Sequence, residues 1–167
     1  MVDYLLVDGY NIINAWESTK EIAKESLENA RDRLANTLQN YAAFKNLAVI
    51  LVFDAHLVKG AHRNKEQRNH LQIVFTEEGE TADSMIEALA YQLCEINRVY
   101  VATSDWDEQR VVMGTGALRI SAREFEKEVL KSEKASRKYF RQEHVDRNPL
   151  DARLTEEQIT RLENMFK

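Results

Sequence analysis

The sequence predicts an α/β fold built on a parallel sheet, and three observations carry that prediction. Short strand-like runs alternate with segments of helical period, and strands separated by helices pair in parallel through crossovers that cover both faces of the sheet. The first two strand runs, YLLV and LAVILVF, are continuously apolar rather than alternating, as strands buried on both faces are. The chain of 167 residues is 44% hydrophobic and 31% charged. That length suits one domain able to bury about two thirds of its unfolded surface, without a metal or disulfide staple.

The elements follow in order. Tyr4–Val7 (YLLV) is a short apolar run and reads as the first strand. A helix is predicted over Thr19–Phe44, because Leu27, Ala30, Leu34, Leu38 and Tyr41 recur at steps of three and four and so share one face. Leu47–Phe53 (LAVILVF) is the strongest strand signal, and Leu71–Phe75 (LQIVF) is a third strand. Thr81–Cys94 returns to helical spacing, with Ala82, Met85, Ile86, Leu89, Ala90 and Leu93 on one side. Arg98–Ala102 (RVYVA) is the fourth strand, Asp105–Val112 a short helix and Ala117–Ile120 (ALRI) a fifth strand. Arg123–Gln142 is a charge-rich helix, and Arg147–Asp151 around Pro149 is a linker. Thr155–Phe166 closes the chain as an amphipathic helix, expected to pack on the same domain, with Thr155 and Gln158 at capping-box spacing.

Composition narrows the classes. With 23 basic against 28 acidic residues the net charge is −5, unlike a simple basic nucleic-acid binder. That charge is unevenly placed. Thr76–Glu87 holds Glu77, Glu78, Glu80, Asp83 and Glu87 with no Lys or Arg, so the remainder balances at 23 against 23. A single cysteine, Cys94, allows no intrachain disulfide. Its place on the apolar side of its helix points to the core. With no signal-peptide pattern, a cytoplasmic location is expected. No apolar run approaches the roughly 20 residues that span a bilayer, so no membrane partner is expected.

In parallel α/β sheets ligands gather beyond the carboxyl ends of the strands. Here an acidic residue stands at or just beyond each of the first four strand ends: Asp8, Asp54, the run Glu77 to Asp83, and Asp105 with Asp107. Converging carboxylates repel unless something positive lies between them. A hard divalent cation with oxygen ligands resolves that repulsion, and such ions support attack at phosphorus. The pattern points to metal-dependent phosphodiester chemistry. Each motif taken alone has a plainer reading. Asp8-Gly9 reads equally as a turn, Asp83 as a partner of a helix dipole, Ser104-Asp105 as an N-cap pair, and Asp54 as a cap. Glu80, Asp83 and Glu87 fall at helical spacing, and three like charges on one face are unfavourable without a cation or solvent. The four positions together, rather than any one, favour a site.

The strings LLVDGYNII (Leu5–Ile13), VFDA (Val52–Ala55), GETADSMIE (Gly79–Glu87) and TSDWDEQ (Thr103–Gln109) resemble the YacP-like NYN domain family, within the PIN-like nuclease group. The likeness runs from Leu5 to about Tyr139. It implies a three-layer PIN-like fold with a central parallel sheet of order 3-2-1-4-5, with residues 1–145 as the nuclease domain. It also implies a metal-dependent endoribonuclease in which Asp8 and Asp83 bind Mg²⁺ or Mn²⁺, Asp105 adds a further carboxylate, and Asn11 orients the site. Asp54, Glu80 and Asp107 are lesser candidates as ligands. The partners implied are RNA, messenger RNA in particular, with the ribosome as the setting.

A nuclease needs cations for the phosphate backbone. His56–Leu71 carries Lys59, Arg63, Lys65 and Arg68 against Glu66 and is expected to be a mobile loop flanking the acidic edge. A second basic stretch holds Lys131, Lys134, Arg137, Lys138 and Arg141 against Glu133. Within it, Tyr139 and Phe140 are expected to pack rather than stack on bases. Trp106 and Tyr10, beside the acidic positions, suit stacking and packing alike. His56, His62 and His70 have neither zinc-finger spacing nor paired cysteines. Two other functions stand beside the nuclease. One is a non-catalytic RNA- or ribosome-binding module on the same fold. The intact acidic set favours the enzyme over that module. The other is an aspartyl phosphatase, which Tyr10, where a second Asp is wanted, disfavours. No P-loop pattern is present.

Overall fold

The computed structural model describes residues 2–55, 65–146 and 164. The linker around Pro149 and, apart from Asn164, the predicted C-terminal helix lie outside the described residues. The chain divides into two compact units, Met1–Ser132 and Glu133–Lys167.

In the first unit the strands β1 (Asp3–Asp8), β2 (Ala48–Phe53), β3 (Lys65–Arg68), β4 (Leu71–Phe75), β5 (Arg98–Ala102) and β6 (Leu118–Ile120) form one sheet of order β3-β4-β2-β1-β5-β6. All pairings are parallel except β3 with β4. Without β3 the order is the expected 3-2-1-4-5. The helices are α1 (Gly9–Ala15), α2 (Glu17–Glu25), α3 (Leu27–Lys45), α4 (Ala82–Leu93), α5 (Trp106–Met113) and α6 (Ala122–Asp146), the last crossing from the first unit into the second.

Alternation along β1 divides the core. Leu5 and Val7 face a cluster with Ile12 and Ile13 of α1, Leu34 and Leu38 of α3, and Phe125 and Val129 of α6. Leu6 points the other way, onto Ile86 and Ala90 of α4 and Val112 of α5. Successive strand side chains point to opposite faces, so one apolar run serves two helical layers. This is the expected arrangement of helices on both faces.

Three elements differ from expectation. The helix predicted over Thr19–Phe44 is two helices, joined at Ser26 and preceded by α1. Ser26 is extended (φ −151°, ψ 116°), and its side chain accepts from the Asn29 N–H, so it caps α3. Trp16, extended in the same way, separates α1 from α2, and its indole Nε1–H donates to the Ala122 carbonyl at 2.8 Å. The buried Thr19 hydroxyl donates to the Ile13 and Trp16 carbonyls. Secondly, Lys65–Arg68, expected in a mobile loop, is the edge strand β3. Its side chains are largely exposed, so ladder hydrogen bonds rather than burial hold it, and charge suits an unprotected edge. Asn69, with φ 49°, makes the turn into β4. Thirdly, Tyr139 and Phe140 do not pack into a core. They are 59% and 60% exposed and meet edge to face.

Gly9 follows Asp8 for a steric reason. A Cβ there would overlap the Phe53 ring. Phe53 is buried and lies between Tyr10 (5.0 Å between centroids) and Phe75 (5.6 Å), so it has little room to retreat. Gly9→Ala is therefore expected to destabilise the protein by about 1–3 kcal/mol, the usual cost of overpacking. Denaturant midpoints measure this, and pairing with Phe53→Leu should recover part of the loss. An unchanged midpoint for Gly9→Ala would rule out the steric account.

Candidate active site

The central strand β1 lies between β2 and β5 in parallel register. Asp8 is level with Val52, and Val7 with Ala102. The carboxyl ends of β4, β2, β1, β5 and β6 therefore fall along one edge. Asp54 follows β2, and Glu77 and Glu80 follow β4. Asp105 comes three residues after β5.

Asp8 is 8% exposed and caps α1, its Oδ1 accepting from the Asn11 N–H at 3.4 Å. Asn11 then reaches across the edge. Its Oδ1 accepts from the Ser104 backbone N–H at 2.6 Å and the Ser104 hydroxyl at 2.8 Å. Loop one and loop four are thus joined through one side-chain oxygen. Thr103 beside it is fully buried. Its N–H donates to the Ile120 carbonyl, and its hydroxyl oxygen accepts from the Asp105 N–H at 3.1 Å. Asp105 in turn caps α5, accepting from the Asp107 N–H at 2.9 Å. The N-cap reading of Asp105 is therefore correct and coexists with its place at the edge. On the other side Thr76 ties the loops after β2 and β4: its N–H donates to the Phe53 carbonyl, and its hydroxyl oxygen accepts from the Ala55 N–H.

The structure thus joins Asp8, Asn11 and Ser104 by hydrogen bonds, and Asp105 follows Ser104 directly in the chain. Asp83 stands exposed in the first turn of α4, whose N-cap is Thr81. Glu80 closes its own turn, its Oε2 accepting from the Glu77 N–H at 3.4 Å, with Gly79 at φ 85°. Asp107 is exposed, and Asp54 is half-buried. Among the described residues, no three His, Cys, Asp or Glu side chains are grouped to hold one ion. Tyr10 packs rather than stacks. Its ring lies on Phe53, and its hydroxyl accepts from Arg31 Nη1 at 3.1 Å. Burial raises its pKa above the ordinary tyrosine value, with Arg31 opposing.

The basic residues divide. Lys65 pairs with Val74 towards the carboxyl end of β4, whereas Arg68 pairs with Leu71 at the opposite end, with partners Glu66 and Asn36. Lys134, Arg137, Lys138 and Arg141 are exposed on α6 within the second unit. Lys59 and Arg63, with His56 and His62, lie outside the described residues. Sequence reasoning passed over a cavity of about 590 Å³ lined by Ala15, Ser104, Arg119, Ser121, Ala122, Arg123 and Glu126. Its only sequence signal is the pair of arginines flanking the Ser121 cap.

The fold and the edge together define a parallel α/β domain with carboxylates at the ends of adjacent central strands. The chain belongs to the YacP-like NYN domain family, whose model matches residues 5–167. It is 50% identical to YacP of Bacillus subtilis over 130 residues, 77% of this chain and 75% of that protein. A crystal structure of Rae1 (YacP) from Bacillus subtilis is similar at a TM-score of 0.78 and 41% identity, covering 98% of this chain and 94% of that one. A mutant of Rae1 is similar at a TM-score of 0.76 and 39% identity, covering 90% and 89%. Membership supports a nuclease-like, RNA-related function. Among the described residues no helix is long and apolar enough to cross a membrane.

If the Asn11 oxygen holds the two loops together, Asn11→Ala should raise hydrogen exchange at the Ser104 amide. It should also cost about 1–2 kcal/mol by losing two hydrogen bonds. Asn11→Asp keeps the acceptor and should preserve protection at Ser104. Equal protection in Asn11→Ala would show that the link is dispensable.

Proposed function

We propose that this protein is a metal-dependent endoribonuclease that hydrolyses phosphodiester bonds of single-stranded RNA, with messenger RNA on the ribosome as its setting in the cytoplasm. The observation that carries the reading is the link from Asp8 through Asn11 to Ser104, which places Asp105, the next residue, beyond the strand adjacent to that of Asp8. Family membership supports the same class of chemistry.

The donors at this edge are carboxylate, amide and hydroxyl oxygens, which suit Mg²⁺ or Mn²⁺. Mg²⁺ is commonly held by one or two carboxylates, with waters and substrate phosphates completing the shell, so a prebuilt trio is not required. In this reading Asp8, Asp83 and Asp105 hold the ion, with Asp54, Glu80 and Asp107 further out. A bound ion supplies a water of lowered pKa and stabilises charge at phosphorus. Asn11 sets the spacing between Asp8 and Asp105. Lys65 and the exposed basic face of α6 contact backbone phosphates, as Lys59 and Arg63 do in the segment after β2.

The alternative is a binding module that does not cut RNA. Exposed Tyr139 and Phe140 among the cations of α6 favour it, because exposed aromatics beside cations offer stacking platforms. Cleavage decides between the two. Asp8→Asn should keep the fold, since Asn caps helices as well as Asp does. It and Asp83→Asn should each lower cleavage by more than about 100-fold, beyond the effect typical of outer partners. Excess EDTA should abolish cleavage, and added Mg²⁺ or Mn²⁺ should restore it. Mapping RNA ends on translating and free messenger RNA, with and without Mg²⁺, tests the setting. Undiminished cleavage in Asp8→Asn or in EDTA would sink the enzyme, and binding without cleavage would establish the module.

A further inference from the structure

We infer that the cavity lined by Arg119, Arg123, Ser104 and Ser121 is an RNA subsite that takes a nucleotide next to the cleaved bond, with the two arginines on its phosphate. The inference rests on the nuclease reading only in taking RNA as the ligand. Three observations carry it. The cavity, at about 590 Å³, falls within the roughly 300–1,000 Å³ of small-ligand sites. It shares a wall with the acidic edge: Ser104 lines it, precedes Asp105, and is held by Asn11. A chain leaving the carboxylates on this side therefore enters the cavity directly.

The third observation is charge. Arg119 lies on β6 and Arg123 in the first turn of α6, both exposed. Two guanidiniums on one wall suit an anion with several acceptor oxygens, because their planar forks match phosphate geometry. Glu124 accepts from the Ser121 N–H at 3.1 Å, while Ser121 Oγ accepts from the Glu124 N–H at 3.2 Å. This reciprocal cap fixes the start of α6 and hence Arg123. The Ser121 backbone hydrogen bond also holds the Glu124 carboxyl below the usual range. Glu126 does line the cavity, so two arginines stand against one carboxylate among its lining residues. Ala15 and Ala122 contribute small apolar surface on which a sugar or base can rest, and the serine hydroxyls donate or accept at its polar atoms.

The test is binding, so that it does not depend on cleavage. Full-length Asp8→Asn protein is titrated with a labelled short single-stranded oligoribonucleotide over a range of KCl. Adding Arg119→Ala and Arg123→Ala together should weaken binding about tenfold, the scale of one charge-assisted phosphate contact. The slope of log K against log salt should fall by about 0.7 for each phosphate contact removed. Lys45→Ala, an exposed charge on α3, is the control and should change neither. Glu126→Gln should tighten binding several-fold, and it decides the matter if the double variant does not fold. An unchanged affinity and slope in the folded double variant, a loss no larger than that of Lys45→Ala, or unchanged affinity in Glu126→Gln would overturn the subsite. Absence of cleavage by the unsubstituted protein would instead count against the nuclease reading and leave the binding result intact.

Discussion

Parallel pairing of β1 with both neighbours is the constraint from which the rest of the structure follows. Strands that pair in parallel must each return through a crossover, so their carboxyl ends fall along one edge. The register places Val7 level with Ala102 and Asp8 level with Val52. That register, rather than any attraction between acidic groups, sets Asp8 close to the loop carrying Ser104 and Asp105. Burial on both faces of the sheet holds the register, because a one-residue slip would reverse the facing of Leu5, Leu6 and Val7.

Short polar side chains then tie the loops of the edge together. Asn11 and Thr76 each bridge two loops through one oxygen, and Thr103 braces its own loop by accepting from the Asp105 N–H. Such groups suit a site that must hold carboxylates: they restrain the backbone without neutralising the acids. Helix starts contribute in the same way, since Asp8 and Asp105 are both N-caps. Capping directs a carboxylate oxygen at the helix N-terminus, where negative charge is stabilised. Structural and chemical roles are therefore not rivals at these two positions.

The apolar runs were legible because burial on both faces leaves an unbroken signal, and all five expected strands are present. The helical face from Leu27 to Tyr41 was legible for the same reason. The break at Ser26 was not, because no Gly or Pro marks it and helical spacing continues on either side. Strand β3 was hidden because its lysine, glutamate, glutamine and arginine side chains bury little, and backbone ladders leave no trace in composition. Tyr139 and Phe140 were misjudged because aromatic residues are usually found inside.

By itself the sequence determined the α/β class, the order of the elements and the acidic residues that end the central strands. Each of these depends on local pattern: apolar runs, helical period, and polar residues where a strand stops. The tertiary structure alone decided that Asn11 binds Ser104 across 93 positions, that Gly9 is small to clear Phe53, and that Arg119 and Arg123 share a cavity with Ser104. Those facts depend on distances between segments remote in the chain, which only packing of the sheet and its helices establishes.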